Sequence, residues 1–312
     1  MGWTFPVTRR EAAFLIGGAA AAALCPLRSF ATDKNSVVML LRPIPSSGEK
    51  IPAVGLGTSR TFDVGPSPND RGPLKEVLQR FAQVGGQVVD TSPMYGRAEA
   101  VIGDLVEELH LRDSLFFATK VWTTGQQEGI DSMERSRERL RTKSIDLMQV
   151  HNLVDLDTQL ATARAWKEQG KVRYVGITHY VESSLPAVEK VLQREKIDFL
   201  QINYSIAERE AEKRVLPLAH ERGVAIFINR PFTRGSLFSR LRAQPWPEWA
   251  AEFDCTSWAQ FLLKWILANE AVTCAIPATT DPKHLEDNMQ GGMGRLPDAK
   301  MRERMVRLVT VT

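Results

Sequence analysis

The feature that most constrains this chain is a regular alternation of short apolar runs with longer amphipathic segments. Apart from the first run, the runs end at residues 90, 120, 151, 177, 203, 228 and 276, and these ends are mostly 25 to 31 residues apart. That spacing matches one strand, one helix and two loops. Alternation of this kind predicts a parallel sheet whose strands are apolar because helices cover them.

Eight such runs predict eight strands alternating with eight helices. The predicted strands are PAVGLG at 52–57, QVVD at 87–90, LFFATK at 115–120, IDLMQVH at 145–151, VRYVGIT at 172–178, DFLQINY at 198–204, VAIFIN at 224–229 and VTCAIP at 272–277. Eight units within about 240 residues, without a GxGxxG loop after the first strand, favour a closed (β/α)8 TIM barrel over an open doubly wound sheet.

Three further segments complete the predicted architecture. Residues 36–50, with PSSG as the turn, predict an N-terminal β-hairpin that closes the barrel floor. Glycines at 170 and 223 follow amphipathic segments, where a left-handed residue commonly ends a helix. Residues 230–256 are longer than the other connections and form an insertion after the seventh barrel strand, on the face where barrel enzymes hold their active sites.

The charge balance excludes two classes of partner. The 312-residue chain has a formal charge of +3. Residues 1–31 contain Arg9, Arg10, Arg28 and Glu11, a net +2, so the rest of the chain has +3 − 2 = +1. A nearly neutral protein lacks the electrostatic footprint of a nucleic-acid or anionic-membrane binder.

The first 31 residues predict an export signal. Arg9 and Arg10 are followed by an uncharged stretch at 12–25 and by Ser29-Phe30-Ala31, a small-x-small cleavage site. The paired arginines resemble a twin-arginine signal, which implies recognition by that export machinery and a periplasmic or otherwise exported protein. If the signal is not used, the protein is cytoplasmic, and the alternative interpretation is a short uncleaved anchor. We therefore divide the chain into a signal at 1–31 and a single barrel domain at 32–312, with no stable membrane span in the mature form.

The cysteines indicate neither a disulfide nor a metal site. Cys255 and Cys274 remain after the signal, and Cys274 lies in an apolar run typical of a buried strand, where cysteine behaves as a small hydrophobe. We expect the two to stay unbridged. No cysteine and histidine spacing resembles a zinc site, so no metal is predicted.

Polar side chains stand at the carboxyl ends of three neighbouring predicted strands. Asp90 ends the second strand, Lys120 the third and His151 the fourth, while Tyr95 follows the second strand in a turn. Each alone is an ordinary strand-end residue. Because parallel strands bring their carboxyl ends to the same barrel mouth, the four are expected to meet at one point.

These four residue types predict a proton donor at the barrel mouth. A free phenol titrates near 10, and a lysine ammonium beside it is expected to lower the pKa of Tyr95, with Asp90 keeping that ammonium charged and oriented. His151 can hydrogen-bond a substrate carbonyl oxygen or relay its proton. The matching reaction is hydride delivery to a carbonyl carbon, which requires a nicotinamide cofactor.

The segments DTSPMYGRAE, ATK with Lys120 and MQVHN with His151 resemble the catalytic motifs of the aldo-keto reductase family. The resemblance covers residues from about 39 to 290 and implies a (β/α)8 barrel. It also implies that Tyr95 is the general acid, that Lys120 and Asp90 tune it, and that His151 orients the carbonyl group of a small-molecule substrate.

The same resemblance implies a cofactor, NADPH or NADH, and the residues that hold it. At its nicotinamide end Thr178 and His179 replace a Ser-Asn pair, Gln201 matches, and Asn229 stands where many members have an aromatic residue. At its adenosine end Ala278 and His284 stand where lysine and arginine commonly hold the 2′-phosphate, and Lys283 is the replacement cation. The full implied set is Thr58, Thr178, His179, Gln201, Asn229, Pro231, Ile276, Pro277, Thr279, Lys283, His284, Asp287 and Asn288. The last helix is expected to begin after TTDP, where its N-terminus either attracts a phosphate or has a plain helix cap.

Met94 and Trp122 are the predicted lining of the substrate pocket, because one neighbours Tyr95 and the other follows Lys120 by two residues. Few residues lie between His151 and the next helix, and little chain follows residue 297. We expect an open pocket, narrowed mainly by the insertion at 230–256.

Two other functions fit the same sequence. In one, the barrel keeps a cofactor bound as a non-turning redox sensor or binding protein, and the departures at His179, Asn229 and His284 mark lost turnover. In the other, Lys120 forms a Schiff base in a lyase or isomerase, although Asp90 and Tyr95 then have no task.

Overall fold

Eight parallel strands curl into a barrel in the computed structural model, which describes residues 38–310. The predicted export signal at 1–31 lies outside the described residues. The barrel strands are β3 (Leu56–Gly57), β4 (Val88–Asp90), β5 (Phe116–Val121), β6 (Ile145–His151), β7 (Val172–Thr178), β8 (Phe199–Asn203), β9 (Ala225–Asn229) and β10 (Cys274–Ala275). Every strand pairs in parallel with its neighbours in chain order, which confirms the predicted βα repeat.

The first and last barrel strands meet and close the sheet. Val54 bridges Ala275, and Gly57 bridges Ala278, both in parallel. The N–H of Gly57 donates to the carbonyl of Pro277 at 2.9 Å. A Cβ at residue 57 would lie 2.7 Å from the carbonyl oxygen of Ile276, so glycine allows the two strands to approach at this seam.

Within residues 38–310, eight helices follow the eight barrel strands on the outside, as the alternation predicts, and two more are additional, one in the insertion at 230–256 and one at the end of the described chain. They are α1 (Pro68–Gln83), α2 (Ala98–Glu108), α3 (Gln126–Arg139), α4 (Leu156–Glu168), α5 (Leu185–Arg194), α6 (Val215–Glu221), α7 (Ser236–Leu241), α8 (Trp258–Leu267), α9 (Pro282–Gln290) and α10 (Ala299–Thr310). Gly170 and Gly223 follow α4 and α6 with φ values of 72° and 67°. These left-handed residues end their helices as expected.

The predicted hairpin lies at the N-terminal side. β1 (Leu41–Pro43) and β2 (Lys50–Pro52) pair antiparallel, so the second strand reaches two residues beyond the predicted limit of residue 50. The hydroxyl of Tyr174 on β7 donates its proton to the Glu49 carboxylate at 2.6 Å and lies 2.8 Å from the Ser47 hydroxyl, whose proton it can accept. The hairpin turn is thus fastened to the barrel interior from below.

The insertion at 230–256 is partly helical rather than an open loop. It contains α7 and a 3₁₀ helix at Glu248–Phe253. Trp246 and Trp249 both pack against Phe261 of α8, with ring centroids 6.3 and 5.7 Å away. Its two aromatic anchors therefore cover an outer helix, and α8 is buried on nearly every side instead of on the single face that its periodicity predicts.

Cys255 and Cys274 are free, buried thiols, which agrees with the expectation that they stay unbridged. Burial raises the pKa of the Cys255 thiol to about 12, so it stays protonated at neutral pH. Among residues 38–310, no helix combines the length and apolar character needed to cross a membrane.

Candidate active site

The barrel topology brings the four predicted catalytic residues to one mouth. Asp90 is the last residue of β4, Lys120 lies one residue before the end of β5, and His151 is the last residue of β6. Tyr95 lies in the turn between β4 and α2. These strands are consecutive in the sheet, which is why residues about 30 apart in sequence become neighbours.

A buried ion pair forms the base of the site. Lys120 Nζ donates to both carboxylate oxygens of Asp90, at 2.9 and 2.8 Å, and to the carbonyl of Thr91 at 2.6 Å. The two charged side chains are only 1% and 5% exposed. Burial lowers the pKa of Lys120, but Asp90 and Tyr95 raise it, and the result lies above the ordinary value. The ammonium therefore stays charged although it is removed from water.

Tyr95 lies beside this ion pair. Lys120 Nζ is 5.2 Å from the centroid of the phenol ring. Burial raises the pKa of Tyr95, and this effect is larger than the lowering by the charge of Lys120, so the pKa lies above its ordinary value. The sequence-based expectation of a lowered pKa was wrong, because it counted the neighbouring charge and not the loss of solvent around the phenol. The phenol is therefore protonated at neutral pH, as an unshifted phenol also is, and the raised pKa makes it a weaker acid than a free phenol.

His151 stands at right angles to the phenol across the mouth. The ring centroids are 6.4 Å apart, with an interplanar angle of 86°. Its Nδ1 is 3.5 Å from the Ser92 hydroxyl. Burial and, to a smaller extent, the charge of Lys120 lower the pKa of His151 to about 3. The imidazole is therefore neutral at physiological pH and can donate only one N–H.

Two polar groups of this site escaped the sequence analysis. Gln149 is fully buried and its Nε2 lies 3.4 Å from Asp90 Oδ1, while Ser92 supplies the hydroxyl near His151. Gln149 precedes His151 by two residues on β6. The period of two along a strand could have identified it, because residues i and i+2 share a face.

The residues predicted for the nicotinamide end are already bonded to the catalytic group. Gln201 Nε2 donates to Asp90 Oδ1 at 2.8 Å, and its Oε1 accepts from the Thr178 hydroxyl at 2.8 Å. Thr58 donates its hydroxyl to the carbonyl of Asp90 at 2.9 Å. Thr178, Gln201, Asp90 and Lys120 thus form one continuous buried network.

His179 and Asn229, the two residues that depart from the family pattern at the nicotinamide end, contact each other. Asn229 Nδ2 donates to the carbonyl of His179 at 3.1 Å. The Nδ1 of His179 accepts the backbone N–H groups of Tyr180 and Val181, at 3.0 and 3.2 Å, so this ring nitrogen is occupied locally. Pro231 follows as a buried residue.

The adenosine-end residues lie between β10 and α9. Ile276 and Pro277 are buried beside the barrel seam, and the Thr279 hydroxyl accepts the N–H of Asp281 at 3.0 Å. Lys283 and His284 are exposed, Asp287 is half-buried and Asn288 is buried. The predicted residues of this segment therefore share one turn and one helix.

The N-terminus of α9 is not a free phosphate site as the sequence suggested. The carboxylate of Asp281 caps it by accepting the N–H of Lys283 at 2.7 Å and of His284 at 3.4 Å. An anion already occupies the donors that would attract a phosphate. Side-chain charge, in particular that of Lys283, has to supply any attraction there.

The predicted pocket residues lie exposed at the mouth. Met94 is 42% and Trp122 47% exposed, although large apolar side chains are usually buried in a protein of this size. Met94 follows β4 and Trp122 follows β5, the two strands that carry Asp90 and Lys120. Apolar side chains exposed beside buried polar groups indicate a surface that a ligand can cover.

Two acceptors at the ends of neighbouring strands remain unpaired beside the network. Asn203 Oδ1 at the end of β8 and Asn229 Oδ1 at the end of β9 are buried and lack a hydrogen-bond partner among the described residues. An unsatisfied buried carbonyl costs about 1–3 kcal/mol. An amide or hydroxyl donor of a nicotinamide cofactor would satisfy such oxygens.

Comparisons with known proteins agree with this geometry. Residues 53–304 match the model of the aldo/keto reductase family. The chain is 27% identical over 258 residues to methylglyoxal reductase YeaE of Escherichia coli K12. The matched segment covers 80% of this chain and 89% of that protein.

Solved structures share the barrel. An aldo-keto reductase from Klebsiella pneumoniae in complex with NADPH superposes with a TM-score of 0.72 at 23% identity, covering 87% of this chain and 96% of that one. The holo form of an aldo-keto reductase from Bacillus halodurans gives a TM-score of 0.72 at 21% identity, covering 86% and 96%. At these identities the likeness shows the fold.

Proposed function

This chain belongs to the aldo/keto reductase family, and we propose from that premise that it reduces an aldehyde or ketone to an alcohol, or runs the reverse oxidation, with Tyr95 as the general acid. As a member of that family it is an NAD(P)-dependent oxidoreductase. The observation that carries the proposal is the buried Asp90–Lys120 ion pair, with a protonated phenol on one side and a neutral imidazole nearby.

The side chains have separate tasks in this reaction. Tyr95 donates its proton to the carbonyl oxygen as negative charge develops there. Lys120 stabilises the phenolate that remains, because a cation close to an anion in a site of low dielectric favours the charged form. Asp90 keeps Lys120 in place with two hydrogen bonds, and neutral His151 is available to donate its N–H to the same carbonyl oxygen.

A nicotinamide cofactor supplies the hydride when it is bound. Thr178, His179, Gln201 and Asn229 would hold its nicotinamide end, and Lys283, Asp287 and Asn288 its adenosine end. We propose NADPH, since the Klebsiella pneumoniae structure contains that cofactor and the exposed Lys283 provides one positive charge for a 2′-phosphate. NADH is the second possibility, because Asp281 places a carboxylate at the same helix terminus.

The location of the protein is also a proposal. Arg9, Arg10 and the small-x-small site at 29–31 support export by the twin-arginine route and removal of residues 1–31. That route carries folded proteins, so the barrel would leave the cytoplasm with its cofactor bound.

The environment of Lys120 argues against the lyase alternative. A Schiff-base lysine must be neutral and open to its substrate. Lys120 is 1% exposed, donates to three oxygens and has a raised pKa.

Fluorescence titration with NADPH and NADH, followed by turnover of a reactive aldehyde, tests the proposal. We expect tight binding and a kcat that Tyr95→Phe lowers by roughly 10²- to 10⁴-fold, the usual contribution of a positioned proton donor. Cofactor affinity should stay unchanged in that variant. Binding without turnover across several carbonyl classes would favour the sensor, and the absence of any nucleotide binding would refute both.

A further inference from the structure

Helix α8 and its N-cap residue together carry three polar side chains on the face turned toward α9 and the segment after it. Ser257, Gln260 and Lys264 are spaced i, i+3 and i+7, which places them on one side of the helix. We call these three residues the α8 brace. None of them belongs to the catalytic network or to the residues predicted for cofactor binding.

Gln260 is the centre of the α8 brace. Its side chain is 2% exposed. Nε2 donates to Asp287 Oδ1 at 2.7 Å and to Gln290 Oε1 at 2.9 Å, while Oε1 accepts the N–H and the hydroxyl of Thr256 at 2.9 and 3.1 Å. The buried amide therefore uses both its donors and its acceptor, and two of these bonds fix side chains of α9.

The other two members hold the same region. The Ser257 hydroxyl donates to Asp287 Oδ2 at 2.8 Å, and it also caps α8 by accepting the N–H of Gln260 at 3.1 Å. Lys264 is fully buried, and its Nζ donates to the carbonyls of Met293 and Arg295. The α8 brace thus fixes α9 and the chain that follows it.

Asp287 is the point where this brace meets the predicted cofactor residues. Each of its carboxylate oxygens receives one donor from the α8 brace, which fixes the orientation of the side chain before any ligand arrives. A carboxylate oxygen has two lone pairs, so each oxygen can accept one further donor, such as the amino group of an adenine. Fixing one flexible side chain in advance is worth a factor of roughly 2 to 10 in affinity.

We propose that Gln260 is a positioning residue for the adenosine end of the cofactor, acting through Asp287. This inference rests on the proposed function, because it assumes that a nicotinamide dinucleotide binds across the mouth with its adenosine end at α9. It predicts that loss of the Gln260 amide weakens binding of the adenosine half and leaves the nicotinamide half unaffected.

The test compares the full-length protein with Gln260→Met, which keeps the size of the side chain and removes its hydrogen bonds. Gln159→Met is the matched control. Gln159 lies on α4, is also fully buried, and donates to the carboxylate of Asp155 at 3.2 Å. Dissociation constants are measured by calorimetry for NADPH, for 2′,5′-ADP and for reduced nicotinamide mononucleotide. Thermal unfolding is recorded for each variant.

We expect Gln260→Met to weaken NADPH and 2′,5′-ADP by roughly 3- to 10-fold, the range expected for losing one preorganised side chain. Binding of the mononucleotide should not change, and the KM for NADPH should rise while kcat at saturation stays within about twofold. Gln159→Met should change none of the three affinities, even if it lowers the melting temperature as much as Gln260→Met does.

Two results would overturn the inference while leaving the reductase proposal intact: unchanged 2′,5′-ADP binding in Gln260→Met, or an equal loss for the mononucleotide. If Gln260→Met does not fold, Ser257→Ala is measured instead, because it removes the other donor to Asp287. It should weaken NADPH and 2′,5′-ADP by a smaller factor and leave binding of the mononucleotide unchanged. Unchanged 2′,5′-ADP binding in Ser257→Ala would equally refute the inference. Wild-type protein that binds none of the three ligands would refute the proposed function itself.

Discussion

At the scale of single residues, the site depends on a competition between burial and charge. The pKa of Tyr95 is raised by burial and lowered by Lys120, and burial is the larger effect. The pKa of Lys120 is lowered by burial and raised by Asp90, and here the charge prevails. A protonated phenol beside a charged ammonium is the combination that a proton-donating site needs.

The pKa of His151 predicts how stability depends on pH. Its folded value of about 3 lies below the ordinary 6.5, so the unfolded chain binds the proton more strongly. The contribution of His151 to the unfolding free energy is complete above about pH 6.5. It is lost as the pH falls toward 3. Between pH 7 and pH 5 we expect wild-type protein to lose about 2 kcal/mol more unfolding free energy than His151→Gln, measured by urea denaturation.

His220→Gln is the control for this measurement, because His220 is exposed on α6. Its unfolding free energy should follow the wild-type pH profile. A wild-type profile that coincides with that of His151→Gln would contradict the buried, neutral imidazole.

The sequence predicted which residues meet but not how each one is tuned. Strand-end positions place Asp90, Lys120 and His151 at one mouth because parallel strands end together. The sign of a pKa shift depends on solvent exposure in three dimensions, which a strand pattern does not contain.

At the scale of elements, Tyr174 is one of several side chains that hold the hairpin to the barrel. Arg173 bonds Glu49, and Arg42 donates to the carbonyls of Leu267 and Glu270. Tyr174→Phe removes the hydroxyl that bonds Ser47 and Glu49. We expect a loss of about 1–2 kcal/mol in unfolding free energy, because two partly buried hydrogen bonds disappear and one involves a carboxylate. Hydrogen exchange of residues 44–52 should become faster.

Tyr180→Phe is the matched control, since Tyr180 is 37% exposed. Exposed substitutions of this kind usually change stability by less than about 0.5 kcal/mol. Equal effects of the two variants on the hairpin would show that the Tyr174 hydroxyl does not fasten it.

Central strands were predicted more accurately than those at the seam. The runs at 145–151 and 172–178 coincide with β6 and β7, whose neighbours are regular on both sides. The predicted strands at 52–57 and 272–277 shrink to Leu56–Gly57 and Cys274–Ala275, because closure of the barrel there uses isolated bridges. Apolar composition alone does not distinguish these two kinds of pairing.

At the scale of the whole molecule, the export proposal makes a direct prediction. Replacing both Arg9 and Arg10 by lysine keeps the charge but removes the paired arginines that the machinery recognises. We expect the wild-type protein in the periplasmic fraction, beginning at Thr32, and the double variant at full length in the cytoplasm. Cell fractionation and N-terminal mass spectrometry measure both.

Arg28→Lys lies outside the pair and should fractionate like the wild type. Identical fractionation of wild type and the Arg9→Lys, Arg10→Lys variant would remove the support for a twin-arginine route.

The closure of the barrel has a consequence for how the protein is made. β3 ends at residue 57, and the residues that pair with it lie at 275–278. A ribosome adding roughly 5–20 residues per second needs roughly 10 to 45 seconds to travel between them. Throughout that interval the emerging chain has a strand edge without its final partner, which is prone to association with other chains. Chaperone protection of the nascent chain is therefore most valuable before the last tenth of the protein has been translated.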